Sequence, residues 1–128
     1  MFKTPKEFIN NWMEKINSHK IDELLQLYNP EAVLIPTFSN KILSTPEKIK
    51  DYFYKISSHD EIHISLHEKT LLVHKIEESK FALYGIYCWN LSVDGELLSF
   101  EARFSYLIDI SLKNPILHHH SSQIPRML

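Results

Sequence analysis

Glycine is nearly missing from this chain. Gly85 and Gly95 are the only two in 128 residues, which rules out a glycine-rich phosphate-binding loop. Cysteine is rarer still: Cys88 stands alone, so no internal disulfide can form and nothing argues for an oxidising compartment. Neither sign of charge dominates. A net charge of −2 without a run of lysine or arginine gives no electrostatic footprint for nucleic acid or an acidic membrane. No stretch approaches the ~20 apolar residues of a membrane span. The start, Met1-Phe2-Lys3-Thr4-Pro5-Lys6-Glu7, lacks the apolar core of a signal peptide. A cytoplasmic protein is expected. No repeat or linker divides the chain, so residues 1–128 are read as one domain. At that length it can bury roughly two-thirds of its unfolded surface without staples.

What is present begins as helix. Thr4, Pro5 and Glu7 read as an N-cap, a first-turn proline and a capping box. Phe8, Ile9, Trp12, Met13 and Ile16 then recur at helical spacing as one apolar stripe. Ile21, Leu24, Leu25 and Tyr28 suggest a short second helix, stopped by Asn29-Pro30. Ala32–Ile35 reads as a buried strand ended by Pro36, and Thr37–Leu43 as loop or edge strand. Thr45, Pro46 and Glu47 open a third helix, with Ile49, Tyr52, Phe53 and Ile56 on its inner face. From Glu61 the period falls to two. A strand holds Ile62, Ser65 and Leu66, and Leu71–Val73 continues it or forms its own. Two long runs follow, Phe81–Val93 and Glu96–Ile110, and then a return through Pro115–Ser122. Helices first and antiparallel strands after make the fold class α+β, with helices on one face of a curved sheet.

Asp94-Gly95 between the long runs is the signature of a two-residue hairpin, because both turn positions need positive φ. That turn pairs Val93 with Glu96 and fixes every later pair. One face carries Leu91/Leu98, Trp89/Phe100, Tyr87/Ala102, Gly85/Phe104 and Leu83/Tyr106. The other carries Cys88/Glu101, Ile86/Arg103 and Tyr84/Ser105. Helices can cover only one of these faces. The arrangement preferred from sequence puts them over the mixed face, because both faces carry too many aromatics for open solvent. A pocket then surrounds Arg103, since a buried arginine costs several kcal/mol unless a site uses it. The apolar face, left bare, would be closed by a symmetric dimer. The opposite arrangement leaves Arg103 on a wet outer surface.

Tyr28-Asn29-Pro30 ahead of Ala32–Thr37, then Tyr52-Phe53, Glu101-Ala102-Arg103 and the ending His118-His119-His120-Ser121-Ser122-Gln123-Ile124-Pro125 resemble the nuclear transport factor 2-like superfamily. Within it the chain is most similar to small SnoaL-like proteins related to the calcium/calmodulin-dependent protein kinase II association domain. The resemblance implies a cystatin-like cone, a bent antiparallel sheet wrapped around N-terminal helices, with a pocket at the wide end. It also implies a homodimer through the outer sheet face, with higher oligomers in the kinase hub, and a pocket-lining role at Arg103. Where the hub has an arginine, this chain has Ser121, so a second pocket cation is missing. Lys113-Asn114-Pro115 replaces the glycine and tryptophan that relatives tend to have before the histidines.

The candidate ligand-binding residues are therefore Arg103, His119, Tyr28, Thr37, Tyr84, Glu101, Ser105 and Ser121. Arg103 offers a rigid fork for a carboxylate, phosphate or carbonyl, or else pairs internally with Glu101. If Arg103 faces Ser121 across the ladder, His119 and Ser105 share its face, and a one-residue slip reverses this. His119 there could move protons near neutral pH, or serve as a hydrogen-bonded core residue. His118 and His120 suit an interface better than a metal, since no third ligand is evident. Trp12 reads as core and Cys88 as a small buried hydrophobe.

Three functions stay open. The preferred one is a dimer that binds an unidentified polar or anionic small molecule in the cone. The second is an isomerase, cyclase or dehydratase acting next to a carbonyl, and the third an assembly module. No cofactor or metal is called for, and the expected partners are a second copy and a small molecule.

Overall fold

The computed structural model describes residues 1–127. Three helices come first or interrupt the early strands: α1 (Pro5–Asn17), α2 (Ile21–Leu25) and α3 (Pro46–Ser57). Six strands form one sheet: β1 (Tyr28–Ile35), β2 (Ile62–Leu66), β3 (Leu72–Lys75), β4 (Lys80–Val93), β5 (Glu96–Asp109) and β6 (Ile116–Gln123). Their order is β1-β6-β5-β4-β2, with β3 also on β4. Every pairing is antiparallel except β1 with β6, which run parallel. The architecture is the α+β cystatin-like cone. No helix among the described residues is long and apolar enough to cross a membrane.

The local signals act as expected. Thr4 and Thr45 cap α1 and α3, their hydroxyls accepting from the N–H of Glu7 (3.1 Å) and Lys48 (3.3 Å). The box at α1 is offset: the Glu7 carboxylate accepts from Lys3 N–H (3.4 Å) rather than from Thr4. Asp94 and Gly95 turn the hairpin with φ of 52° and 79°, and the β4/β5 register runs unbroken from Val93↔Glu96 to Lys80↔Asp109.

Tyr28 differs from its helical expectation. Helix α2 closes at Leu25, and Tyr28 already pairs with Ile116 as the first residue of β1. Pro30 is tolerated inside that strand because β1 lies at the sheet edge and its register is interrupted between Tyr28 and Val33.

The helices lie on the apolar face of the hairpin, contrary to the preferred arrangement. Helix α1 inserts its stripe of Phe8, Ile9, Trp12, Met13 and Ile16 against that face, and all five are buried. The Trp12 indole stacks on Tyr87 (centroids 5.8 Å, 7° between planes) and meets Trp89 and Tyr106 edge-on at 6.1 and 5.8 Å. Each such ring removes about 150–250 Å² from water, an amount no single buried ion pair can match. Energetics therefore send the aromatic face inward and Arg103 outward.

Candidate functional site

Position 119 lies at the heart of the cone because β6 carries an extra residue. Leu107 pairs with His118 but Ile108 pairs with Ile116, leaving Leu117 without a partner. The resulting register sets Arg103 opposite Ser122, Phe104 opposite Ser121 and Tyr106 opposite His119. His119 and Ser121 thus point inward, each 2% exposed, on the face opposite Arg103. This is the one-residue slip that reverses the expected grouping.

The His119 ring is clamped from every side. It stacks on Tyr106 (4.0 Å, 14°) and meets Trp12 edge-on (5.3 Å). Its Nδ1 lies 2.9 Å from the Tyr28 hydroxyl and its Nε2 lies 3.1 Å from that of Tyr87. The direction of these bonds follows from Trp12, whose indole can only donate and gives its hydrogen to Tyr28 Oη (3.2 Å). Tyr28 then has one hydrogen of its own, and Nδ1 of His119 is placed to accept it. Nε2 must carry the ring hydrogen and donate to Tyr87. The opposite tautomer would strand the Tyr28 hydrogen in a dry interior.

The chain ends on hydroxyls. Tyr87 adjoins Ser121 and Thr37, and the Thr37 and Ser121 hydroxyls are hydrogen-bonded to each other. These groups, with Trp12, Trp89 and Tyr52, surround a cavity of about 10 Å³, close to the least that holds one water. Burial pushes the imidazole of His119 well below its usual range and the hydroxyls of Tyr28, Tyr87 and Tyr52 up. Every group in the cluster is neutral at physiological pH. No carboxylate lines this cavity among the described residues.

Two buried donors are left over, the Trp89 indole and the Tyr106 hydroxyl. The Trp89 indole, 2% exposed and lining the cavity, has no hydrogen-bond partner among the described residues. An unsatisfied buried N–H costs about 1–3 kcal/mol, and the acceptor that lies near this one is the Tyr87 hydroxyl. The arrangement suits an oxygen acceptor, a carbonyl or ether, met by neutral donors in a low-dielectric pocket.

Outside the cavity, Tyr52 forms a shared wall with a groove of ≈ 460 Å³ between α3 and the Phe38–Leu43 segment. Phe38 N–H donates to the Tyr52 hydroxyl (3.3 Å). The Phe38 ring covers the cone mouth, edge-on to Trp89 (5.7 Å) and Phe100 (5.3 Å).

The structure thus brings together four of the residues expected from sequence, Tyr28, Thr37, His119 and Ser121. Arg103, Glu101, Tyr84 and Ser105 do not join them. They lie on the outer sheet face, Ser105 half-buried and the other three exposed. Arg103 makes no ion pair among the described residues, and Glu101 faces His67 instead (3.7 Å). His118 and His120 share that outer face, opposite Leu107 and Ser105. Sequence reasoning treated Trp12 as core and gave Tyr87 and Trp89 no role, although inward-facing Tyr and Trp each bring a polar atom needing a partner.

A family model described as a SnoaL-like domain matches residues 6–127. No curated protein matches the sequence. Several solved structures share the fold. One from Xanthomonas campestris, described as a calcium/calmodulin dependent protein kinase II association domain, is 22% identical with a TM-score of 0.83, covering 94% of this chain and 85% of that one. An uncharacterized protein with a cystatin-like fold from Caulobacter vibrioides is 10% identical with a TM-score of 0.73, covering 91% and 84%. The epoxide hydrolase/cyclase-like enzyme SalBIII, described in pyran ring formation in the polyether salinomycin, is 10% identical with a TM-score of 0.74, covering 93% and 89%.

Proposed function

The chain belongs to the SnoaL-like domain family, and from that premise we propose that it binds a small molecule in the cone. The ligand presents a neutral oxygen acceptor to the cluster of Tyr87, Thr37, Ser121 and Trp89. The observation carrying this reading is the buried Trp89 N–H, which lines the cavity beside the Tyr87 hydroxyl and makes no well-formed hydrogen bond. Three hydroxyls beside it, one of them oriented by His119, supply further donors, and aromatic rings supply the apolar surface that small-molecule sites use. The cavity has room for no more than about one water in this form, so a larger ligand requires Tyr52 or Phe38 to swing aside.

Binding has more support than catalysis. Acid–base chemistry next to a carbonyl wants a base with a lone pair facing the substrate, whereas both ring nitrogens of His119 are taken up by tyrosine hydroxyls and burial disfavours its protonated form. Self-association is proposed through the outer sheet face. The aromatic face takes no part in it, because α1 covers those rings. The outer-face contact is supported by the exposure of Tyr84 (42%) and Leu72 (66%) on the face that also carries Arg103 and Glu101, opposite charges that can pair across a two-fold axis.

The chain holds only two tryptophans, so their indole N–H signals are easily told apart by nuclear magnetic resonance. Titration with naphthalene-2-carboxamide, a neutral carbonyl probe, is expected to move the Trp89 signal. Ser121→Leu, which fills the cavity, is expected to abolish that movement. A probe that moves only amides around Arg103 would overturn the reading.

A further inference from the structure

We propose that the groove outside Tyr52 reads the charge of the ligand, and that the natural ligand carries an anionic group, a carboxylate or a phosphate, held by Lys41, Lys48 and Lys55. The inference rests on the cone being a small-molecule site and names the other end of the molecule that fills it.

The charge distribution carries the argument. Three lysines and one acid, Asp51, line the groove, a local excess of two positive charges in a chain whose net charge is −2. None of the three lysines is in an ion pair among the described residues, although six lysine–carboxylate pairs form elsewhere. Lys48 and Lys55 lie seven residues apart, two turns along one face of α3, and Lys41 comes from the opposite wall. Cations gathered from two walls repel one another, and a concave, partly apolar surface concentrates their field on whatever enters. An anion between them removes the repulsion.

Continuity links this groove to the interior. Tyr52 lines both spaces, and the hydroxyl that holds it in place accepts one hydrogen bond, from Phe38 N–H. Rotation of one ring joins ≈ 460 Å³ of groove to the hydroxyl cluster. The combined site suits an amphipathic anion: oxygen acceptor inside, apolar body past Phe38 and Tyr52, and charge among the lysines.

The test compares naphthalene-2-carboxylate with its neutral carboxamide, titrated against the full chain while backbone amide signals are followed. The acid is expected to move amides of α3 and the 38–43 segment and to bind about tenfold more tightly than the amide at low salt. That preference should shrink as salt rises and vanish in a Lys41→Gln, Lys48→Gln, Lys55→Gln variant, whose exposed substitutions leave the core intact. Equal affinities, a preference that survives the triple substitution, or no groove response to the acid at millimolar concentration would overturn the proposal. The interior reading fails separately: a charge preference in the groove with no response at Trp89 N–H rejects the cavity and keeps the lysine site.

Discussion

Acidification should destabilise this protein through His119 more than through its other histidines. The ring is buried and bonded at both nitrogens to tyrosine hydroxyls, and burial holds its pKa well below the usual 6.5. The unfolded chain therefore binds a proton that the native state refuses. Stability is fully present above about pH 6.5 and falls as the pH drops below it, by about 1.4 kcal/mol per unit while the folded ring stays neutral. Between about pH 7.5 and 5.5 the loss from this residue works out at about 1.4 kcal/mol. His119→Gln removes the titration while keeping a polar side chain between the two tyrosines. Urea denaturation followed by tryptophan emission, at both pH values and for both proteins, gives the difference. The variant is expected to be less stable at neutral pH but to lose about 1.4 kcal/mol less on acidification. Parallel pH profiles for wild type and variant would refute the reasoning, because the native ring would then be protonating as freely as the unfolded one.

Further outcomes follow from the same geometry. Tyr87→Phe leaves the Nε2–H of His119 without an acceptor in a dry interior and should cost about 1–3 kcal/mol in the same urea assay. Gly85→Ala should destabilise by a similar amount, about 1–3 kcal/mol, because the added methyl would sit 2.8 Å from Phe104 Cζ and that ring is already stacked on Tyr87 (4.6 Å). Tyr84→Glu places a charge opposite Ser105 in the middle of the outer sheet face, where burial against a second copy would be costly, and light scattering should show a smaller species than wild type. An unchanged mass would remove the outer face from consideration as the contact between copies.

Much of the fold can be read directly from the chain, and the reasons differ by element. Thr4-Pro5 and Thr45-Pro46 state their helix starts in local chemistry, and Asp94-Gly95 dictates all fourteen pairs of the long hairpin. Which face of that hairpin the helices cover is a global choice, and a single arginine is a poor guide to it. Tyr87, Trp89, Phe104 and Tyr106 together outweigh any gain from sheltering Arg103. The register of β6 was beyond reach for another reason: the unpaired Leu117 looks like any other strand leucine. That bulge alone separates His119 and Ser121 from Arg103. Lys48 and Lys55 carry no signal in the sequence because lysines seven apart on an amphipathic helix read as its wet side, and only the folded position of Lys41 turns them into a groove.

The central claim is that ligand is held inside the cone and not on the outer face. It is tested most directly by measuring the affinity of naphthalene-2-carboxamide for wild type, Ser121→Leu and Arg103→Ala by calorimetry. The account predicts that Ser121→Leu abolishes binding and that Arg103→Ala leaves it unchanged. Binding that survives a filled cavity and disappears with the guanidinium would contradict it.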